Sequence, residues 1–487
     1  MAKPRKQGSK ERSKPRTEEG ARLQGRPRAS GAKTALLQRL LHPERARAPA
    51  ARPIVPLVPE DPGRASVPQE CLRATALLER RGAWHGEWAE LDPSTLGARW
   101  AKGEPRDLQA FLEACTARWQ RCEPVVLPGL WSEVVEEAQD ELAEREGLRQ
   151  RLAASGGLRE WLEERLAEDE SGYEVLGRSR EKADPERDIE KVRVAPREPS
   201  GRPPVGELWL KSGWLSTHEA DASLRLRASF GVEGQDDASR DIVRHRLVAR
   251  LCEQLLPEAA MVVDEPFLRE FLRRATGVEV LATQHIAYWN APQGGALFHH
   301  DAFAEDELDD GAHRQLGVCY VQLSGRTAWL ALSTAELAAR VREFDAELRR
   351  GTLPWVARSL HGRGADKKLA ALVADQARLV EELALPGCGA LHDLVERAPE
   401  FTNLLAERGH AFLLEPGDGI LLPNRGLHST CMHSVWCAGD EIAYSLSLAL
   451  RPDRAAPTGD AKAERRERRE TRLAKARARR AARIARR

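Results

Sequence analysis

The 487-residue chain combines 31% charged with 41% hydrophobic residues and a formal net charge of +1. That length supports a large core and two or three domains, and its eight scattered cysteines, without CxxC pairs, speak against a disulfide framework and for a reducing, cytoplasmic setting. A membrane span is not expected because no apolar run of about 18 residues occurs, and the basic N-terminus lacks the apolar stretch of a secretory leader.

Residues 1–65 are rich in Pro, Arg, Lys, Ala and Gly and read as a disordered basic tail. Residues 66–277 read as a mainly helical region with a few strands. Leu108, Phe111, Leu112, Cys115 and Trp119 recur at helical spacing, and the stretch from Trp131 to Leu166 is similarly periodic. A loop-like, proline-bearing stretch follows from Ser179 to Val205. Ser223 to Arg227 then alternates as a half-buried strand does. Val243, Leu247, Leu251 and Leu255 mark a helix, and Pro266 to Thr276 another.

Residues 278–453 are strand-rich, interrupted by a helical insertion over 333–409. Ser333 and Glu336 form a capping box that opens the insertion, and Leu337, Val341, Phe344 and Leu348 make one stripe. Leu369, Leu372, Val373, Leu379, Val380 and Leu383 make a second. Residues 454–487 form another basic tail. The two ends carry 15 Lys/Arg against 4 acids (1–53) and 14 against 4 (454–487), so the body between them is strongly acidic. Such tails can contact RNA or the ribosome through phosphates, or can be solvated arms that keep the chain soluble.

The chemistry concentrates in the run from His285 to Asp301. On a strand, residues two apart share a face, so His299 and Asp301 converge while His300 points away. One imidazole and one carboxylate leave a third ligand to be found on a distant strand. Pro416-Gly417-Asp418 reads as a tight turn between strands, and Gly419 to Pro423 leads on to His428, the favoured third ligand. His433 is the alternative, disfavoured by its distance from Pro423. A zinc site from His428, Cys431, His433 and Cys437 fits no common structural spacing.

Taken together, these motifs resemble the JmjC/cupin-like family of Fe(II)- and 2-oxoglutarate-dependent oxygenases, especially its ribosomal-oxygenase-like branch. The carriers are Tyr288-Trp289 through Pro292, the HxD at His299–Asp301, the strand Tyr320 to Trp329, the turn-to-histidine segment Pro416–His428, and Ser445 to Leu448. The resemblance covers about a third of the chain. It implies an α+β fold whose centre is a double-stranded β-helix, the cupin/JmjC jelly roll, here with a helical N-terminal region and a helical insertion in the barrel. It further implies Fe(II) held by His299, Asp301 and His428, 2-oxoglutarate as co-substrate, and hydroxylation of a protein side chain. An acidic body suits a ribosomal or other basic protein as substrate.

One position departs from the family. The lysine that pairs with the distal carboxylate of 2-oxoglutarate falls on Thr327, which can donate one hydrogen bond but carries no charge. Arg451, on a face of the last strand with Ser445 and Ser447, and Arg425 are substitute cations. Tyr288 and Asn290 share a strand face near the site and can contact a co-substrate. The acidic run Glu305–Asp310 reads as a solvated loop or a contact for a basic substrate. The alternative function is a JmjC-fold binding module without 2-oxoglutarate turnover, contacting RNA or ribosome through the tails.

Overall fold

The computed structural model describes residues 106–453 apart from 168–171, 179–187, 198–207, 216–220, 231–241, 293, 303–314, 351–364, 385–390, 392–393 and 396–397. Both basic tails and the Glu305–Asp310 run lie outside the described residues.

The chain opens with helix α1 (Arg106–Gln120), strand β1 (Val125–Leu127), and helices α2 (Ser132–Glu137), α3 (Gln139–Leu152) and α4 (Gly157–Arg165). Strands β2 (Tyr173–Arg178), β3 (Asp188–Pro196), β4 (Leu208–Trp214) and β5 (Leu224–Phe230) follow, then α5 (Ile242–Leu255), α6 (Pro257–Val263) and α7 (Pro266–Thr276). The strand-rich part holds β6 (Val280–Asn290), β7 (Gly295–His299), β8 (Gly317–Ser324) and β9 (Thr327–Ser333). After them come α8 (Thr334–Arg349), α9 (Ala365–Ala374), α10 (Gln376–Ala384) and α11 (Pro399–Glu407). The described chain closes with β10 (Ala411–Leu414), β11 (Gly419–Pro423), β12 (Cys431–Cys437) and β13 (Ala443–Pro452).

The strands form two antiparallel sheets. One is nine-stranded in the order β1-β11-β8-β13-β6-β5-β4-β3-β2, and the other four-stranded in the order β10-β9-β12-β7. Both are open, so the strand pairing gives an α+β architecture of opposed sheets and not the closed barrel expected. They meet through Tyr320 of β8 and Trp329 of β9, whose rings pack edge to face at 4.6 Å, and through a shared cluster of Val318, Ile420, Leu422, Phe298, Phe412 and Val435.

The helical insertion begins where the capping box placed it. Ser333 is the N-cap of α8, and its hydroxyl accepts from the Glu336 amide at 3.2 Å. Leu337, Val341 and Phe344 bury against the four-stranded sheet's outer core together with Leu369, Leu379 and Phe401. The N-terminal helices cover the other side of the molecule. Phe111 and Trp119 of α1 meet Phe267 and Phe271 of α7, each pair at 5.8 Å. Helix α7 itself is tightly specified: Glu265 caps its Leu268 amide at 2.6 Å, Pro266 fills its first turn, and Gly277 ends it with φ +75°.

A buried ionic network fastens these helices to the large sheet. Arg145 of α3 donates two hydrogen bonds of 2.8 Å to Glu258 of α6. The Tyr444 hydroxyl of β13 donates to the same carboxylate at 2.7 Å, and the Trp289 indole of β6 donates to the Arg145 carbonyl at 3.1 Å. The boundary expected near residue 278 is therefore crossed by the sheet, by one apolar core and by this network.

The turn at Pro416-Gly417-Asp418 has the expected form. The Asp418 amide donates to the Glu415 carbonyl at 2.9 Å, and Gly417 takes φ +92°, a conformation costly for any residue with a Cβ. The Asp418 carboxylate then accepts from the Gly129 and Glu415 amides at 2.7 and 2.9 Å, which holds β10, β11 and the β1 loop in place.

Candidate metal centre

Strand β7 is short and presses directly against β12. A Cβ on Gly295 would come within 2.0 Å of the Val435 carbonyl oxygen, so the absent side chain is what permits this pairing. The register then sets His299 directly opposite His433, with a bulge before Val435 that bends β12. Their rings lie 4.2 Å apart between centroids. Asp301 follows two residues beyond His299. Its Oδ1 is 3.9 Å from His299 Nε2 and its Oδ2 3.6 Å from His433 Nε2.

One ligand atom from each of His299, Asp301 and His433 lies within 4.8 Å of the other two, the spacing of donors around a single ion. His299 and Asp301 are both 36% exposed by side chain while His433 is buried, so the cluster has one open and one closed side. Open coordination positions would face the solvent side.

The surroundings prepare His433 as a neutral donor. Burial, then the neighbouring His299 ring, lower its pKa to about 3, so the imidazole holds a free lone pair throughout the neutral range. Its Nδ1 lies 3.4 Å from the Cys431 carbonyl. Donating there leaves Nε2 aimed at Asp301. The Trp329 ring stacks over it at 5.7 Å and excludes water from the back.

His300 behaves as strand alternation requires. Its Nε2 donates to the Ala384 carbonyl at 2.8 Å and its Nδ1 accepts from the Ala302 amide at 3.2 Å, tying the end of β7 to α10. The expected third ligand needs correction. His428 lies outside the cluster of three, exposed in the turn that the Asn424–Thr430 bridge closes off from β11 and β12. Within that turn the Arg425 amide donates to Ser429 and the Ser429 amide to Gly426, so residues 425–429 bulge outward. Strand β12 begins at Cys431, and alternation then carries His433 inward. The disfavoured alternative, His433, is the histidine that the geometry brings to His299 and Asp301. Its signal was present in the sequence, as the every-second-residue run Cys431, His433, Val435, Cys437.

The co-substrate residues do not form one cluster. Thr327 is fully buried at the start of β9, donating to Gln322 Oε1 at 2.7 Å and accepting from Trp329 Nε1 at 2.9 Å. Tyr288 lies 6.5 Å from the Tyr320 ring, and the Asn290 amide nitrogen is 3.5 Å from the Tyr320 hydroxyl. These residues line the interior between the sheets. Arg451 is buried at the far end of β13 opposite Leu281, six residues from Ser445, which pairs with Tyr288. That is roughly 20 Å along a strand. Arg425 is exposed and donates to the Gln120 carbonyl at 3.1 Å.

Sequence reading passed over Arg225 and Arg227. The register of β5 on β6 sets Arg225 opposite Tyr288 and Arg227 opposite Ile286, on the interior face. Burial raises the Tyr288 pKa; the two guanidiniums act against that rise and Asp301 adds to it, so all three charges reach this hydroxyl. The cysteines of the rejected zinc reading are core residues. Burial pushes the Cys431 thiol well up, and Cys437 donates to the Glu441 carbonyl at 3.1 Å.

Among known proteins, no family model and no curated protein matches the chain. Of the described helices, none is long and apolar enough to cross a membrane.

Proposed function

We propose that the chain is an Fe(II)- and 2-oxoglutarate-dependent oxygenase of the double-stranded β-helix type that hydroxylates a protein side chain. The observation that carries this reading is the convergence of His299 and His433, from paired strands of the four-stranded sheet, with Asp301 just beyond the end of β7. The donor set fits the ion: two imidazoles, one kept neutral by burial, and one carboxylate are the facial set of non-haem iron oxygenases. When bound, the iron would activate O2 as the oxidant, with 2-oxoglutarate giving up two electrons on decarboxylation to succinate and CO2 and the substrate side chain giving up the other two.

The chain's own residues have three tasks in this reading. His433 and Trp329 close the rear of the site to water, and Asp301 supplies the negative charge that favours a divalent cation. Tyr288 and Asn290 offer hydrogen-bonding groups to an oxygen-rich small molecule between the sheets, while Gln322 is engaged with Tyr320, Thr327 and two carbonyls and holds this wall in place. The acidic body supports a basic, ribosomal-type protein as substrate.

A second reading rests on Thr327. Its hydroxyl is already engaged with Gln322 and Trp329, and it brings no charge to a co-substrate carboxylate. This favours a JmjC-type fold that binds metal without 2-oxoglutarate turnover and contacts RNA or ribosome through its basic tails. Anaerobic protein with Fe(II) and 2-oxoglutarate separates the two. The oxygenase shows a weak visible charge-transfer band, lost in His299→Ala and His433→Ala, and forms succinate in air. Metal uptake with neither band nor succinate selects the binding module.

A further inference from the structure

Strand β7 ends at His299, so Asp301 lies beyond the last residue that the ladder with β12 holds. A ligand carboxylate in that position depends on outer contacts to keep its place. Two such ties are present. Gln315, buried just before β8, donates from Nε2 to the Asp301 carbonyl at 3.3 Å. Its neighbour Leu316 is fixed on both sides, its amide donating to the Leu450 carbonyl at 2.7 Å and its carbonyl accepting from the Asn424 amide at 2.8 Å.

The second tie is His300. The Ala302 amide donates to its Nδ1 at 3.2 Å, which closes a small ring around the Asp301 backbone. An amide N–H can only donate, so Nδ1 carries the lone pair and Nε2 the proton. That proton goes to the Ala384 carbonyl at 2.8 Å. Ala384 is the last residue of α10, and carbonyls in the final turn of a helix lack partners within it and carry its negative dipole end. One imidazole therefore caps an insertion helix and brackets a metal ligand. Helix α10 is itself seated by Leu379 and Leu383, in one core with Leu337, Val341 and Phe344 of α8.

We propose that His300 is a positioning residue that couples the helical insertion to the metal centre, so that the seating of α10 regulates how tightly the centre holds its ion. The inference rests on the reading of His299, Asp301 and His433 as metal ligands, and it names the regulation of that site. Outer contacts on a ligand change metal affinity by about 10–100-fold, and His300 gives the insertion a share in that effect. The coupling is reciprocal. Whatever factor a seated α10 adds to metal affinity, bound metal adds to the seating of α10.

Two amide side chains separate the halves of the imidazole. In His300→Asn the carboxamide oxygen stands near the place of Nδ1 and keeps the Ala302 bond, but the side chain is too short for Ala384. In His300→Gln the amide nitrogen takes the place of Nε2 and keeps the Ala384 bond. The full chain and both variants are titrated calorimetrically with Mn(II), and amide hydrogen exchange over Gln376–Ala384 is followed with and without the ion. Saturating Mn(II) should slow exchange in this segment of the wild type. His300→Asn should bind Mn(II) about tenfold more weakly and lose the slowing, whereas His300→Gln should retain it. Thermal unfolding of the metal-free proteins shows that each variant is folded. Mn(II) uptake by the wild type without slowing in α10, or slowing that is alike in the two variants, overturns the coupling and leaves the metal centre standing. A wild type that takes up no Mn(II) overturns the metal-centre reading and the coupling with it.

Discussion

The two faces of strands β3 to β6 are built from alternate residues of the same short segments, yet they obey different rules. On the helical side most alternate residues are apolar and buried, with Glu190, Ser212 and His285 as buried polar exceptions, and Leu224, Leu226, Ala287 and Trp289 pack in the core shared with α5 to α7. On the other side the intervening positions carry Lys191, Arg193, Lys211, Arg225, Arg227 and Tyr288. Strand alternation explains how one segment does both. The apolar face holds the sheet to its helices, while the other face carries cations and the tyrosine beside the metal centre. Stability should therefore reside on one side of the sheet and function on the other.

Metal binding offers the sharpest contrast. His299→Ala, Asp301→Ala and His433→Ala should each weaken divalent-metal uptake by about a hundredfold or more, with little effect on thermal unfolding of the metal-free protein. Next in size are substitutions in the network that ties the helices to the sheet. Glu258→Ala leaves the Arg145 guanidinium buried without its carboxylate and should cost about 3–5 kcal/mol in denaturant unfolding.

Neighbouring residues on β5 provide a paired version of the comparison. Leu226→Ala should cost about 2–5 kcal/mol, whereas Arg225→Ala, one residue away on the other face, should stay within about 1 kcal/mol. Equal losses from the two would break the distinction between faces.

Smaller effects appear as pH dependence. His285 lies on the apolar face of β6, and burial lowers its pKa from 6.5 to about 4. The unfolded chain takes up this proton first, so the contribution is complete above 6.5 and is lost as pH falls toward about 4. His285→Leu should flatten this acid limb. Glu400, buried in α11, has the opposite sign. Its pKa is raised from 4.5 to about 8 by burial, so stability is lost as pH rises between those values. Glu400→Gln should raise the unfolding temperature at pH 8 by a few degrees and change it little at pH 5, as thermal scans at the two pH values would show.

Much of this arrangement was legible in the sequence because it depends on local rules. The Ser333 cap, the Pro416–Asp418 turn and the Phe111-Leu112-Cys115-Trp119 stripe each occupy a few residues and obey local geometry. The pairing of His299 with Asp301 followed from the two-residue period of a strand. The third ligand was harder, because it required knowing where β12 begins. The Asn424–Thr430 bridge diverts the chain into a turn that places His428 outside, and a bridge between distant backbone atoms has no local signature. The basic face was invisible for a related reason. Arg225 and Arg227 alternate visibly in β5, but only the pairing of three strands brings Lys191, Arg193 and Lys211 beside them.

The account stands on His433 completing the metal centre in place of His428. Calorimetric titration of Mn(II), as a stable stand-in for Fe(II), into the full chain and into His433→Ala and His428→Ala tests this directly. Wild type and His428→Ala should bind one ion with similar affinity, and His433→Ala should lose binding. Retained binding in His433→Ala together with loss in His428→Ala would contradict the account.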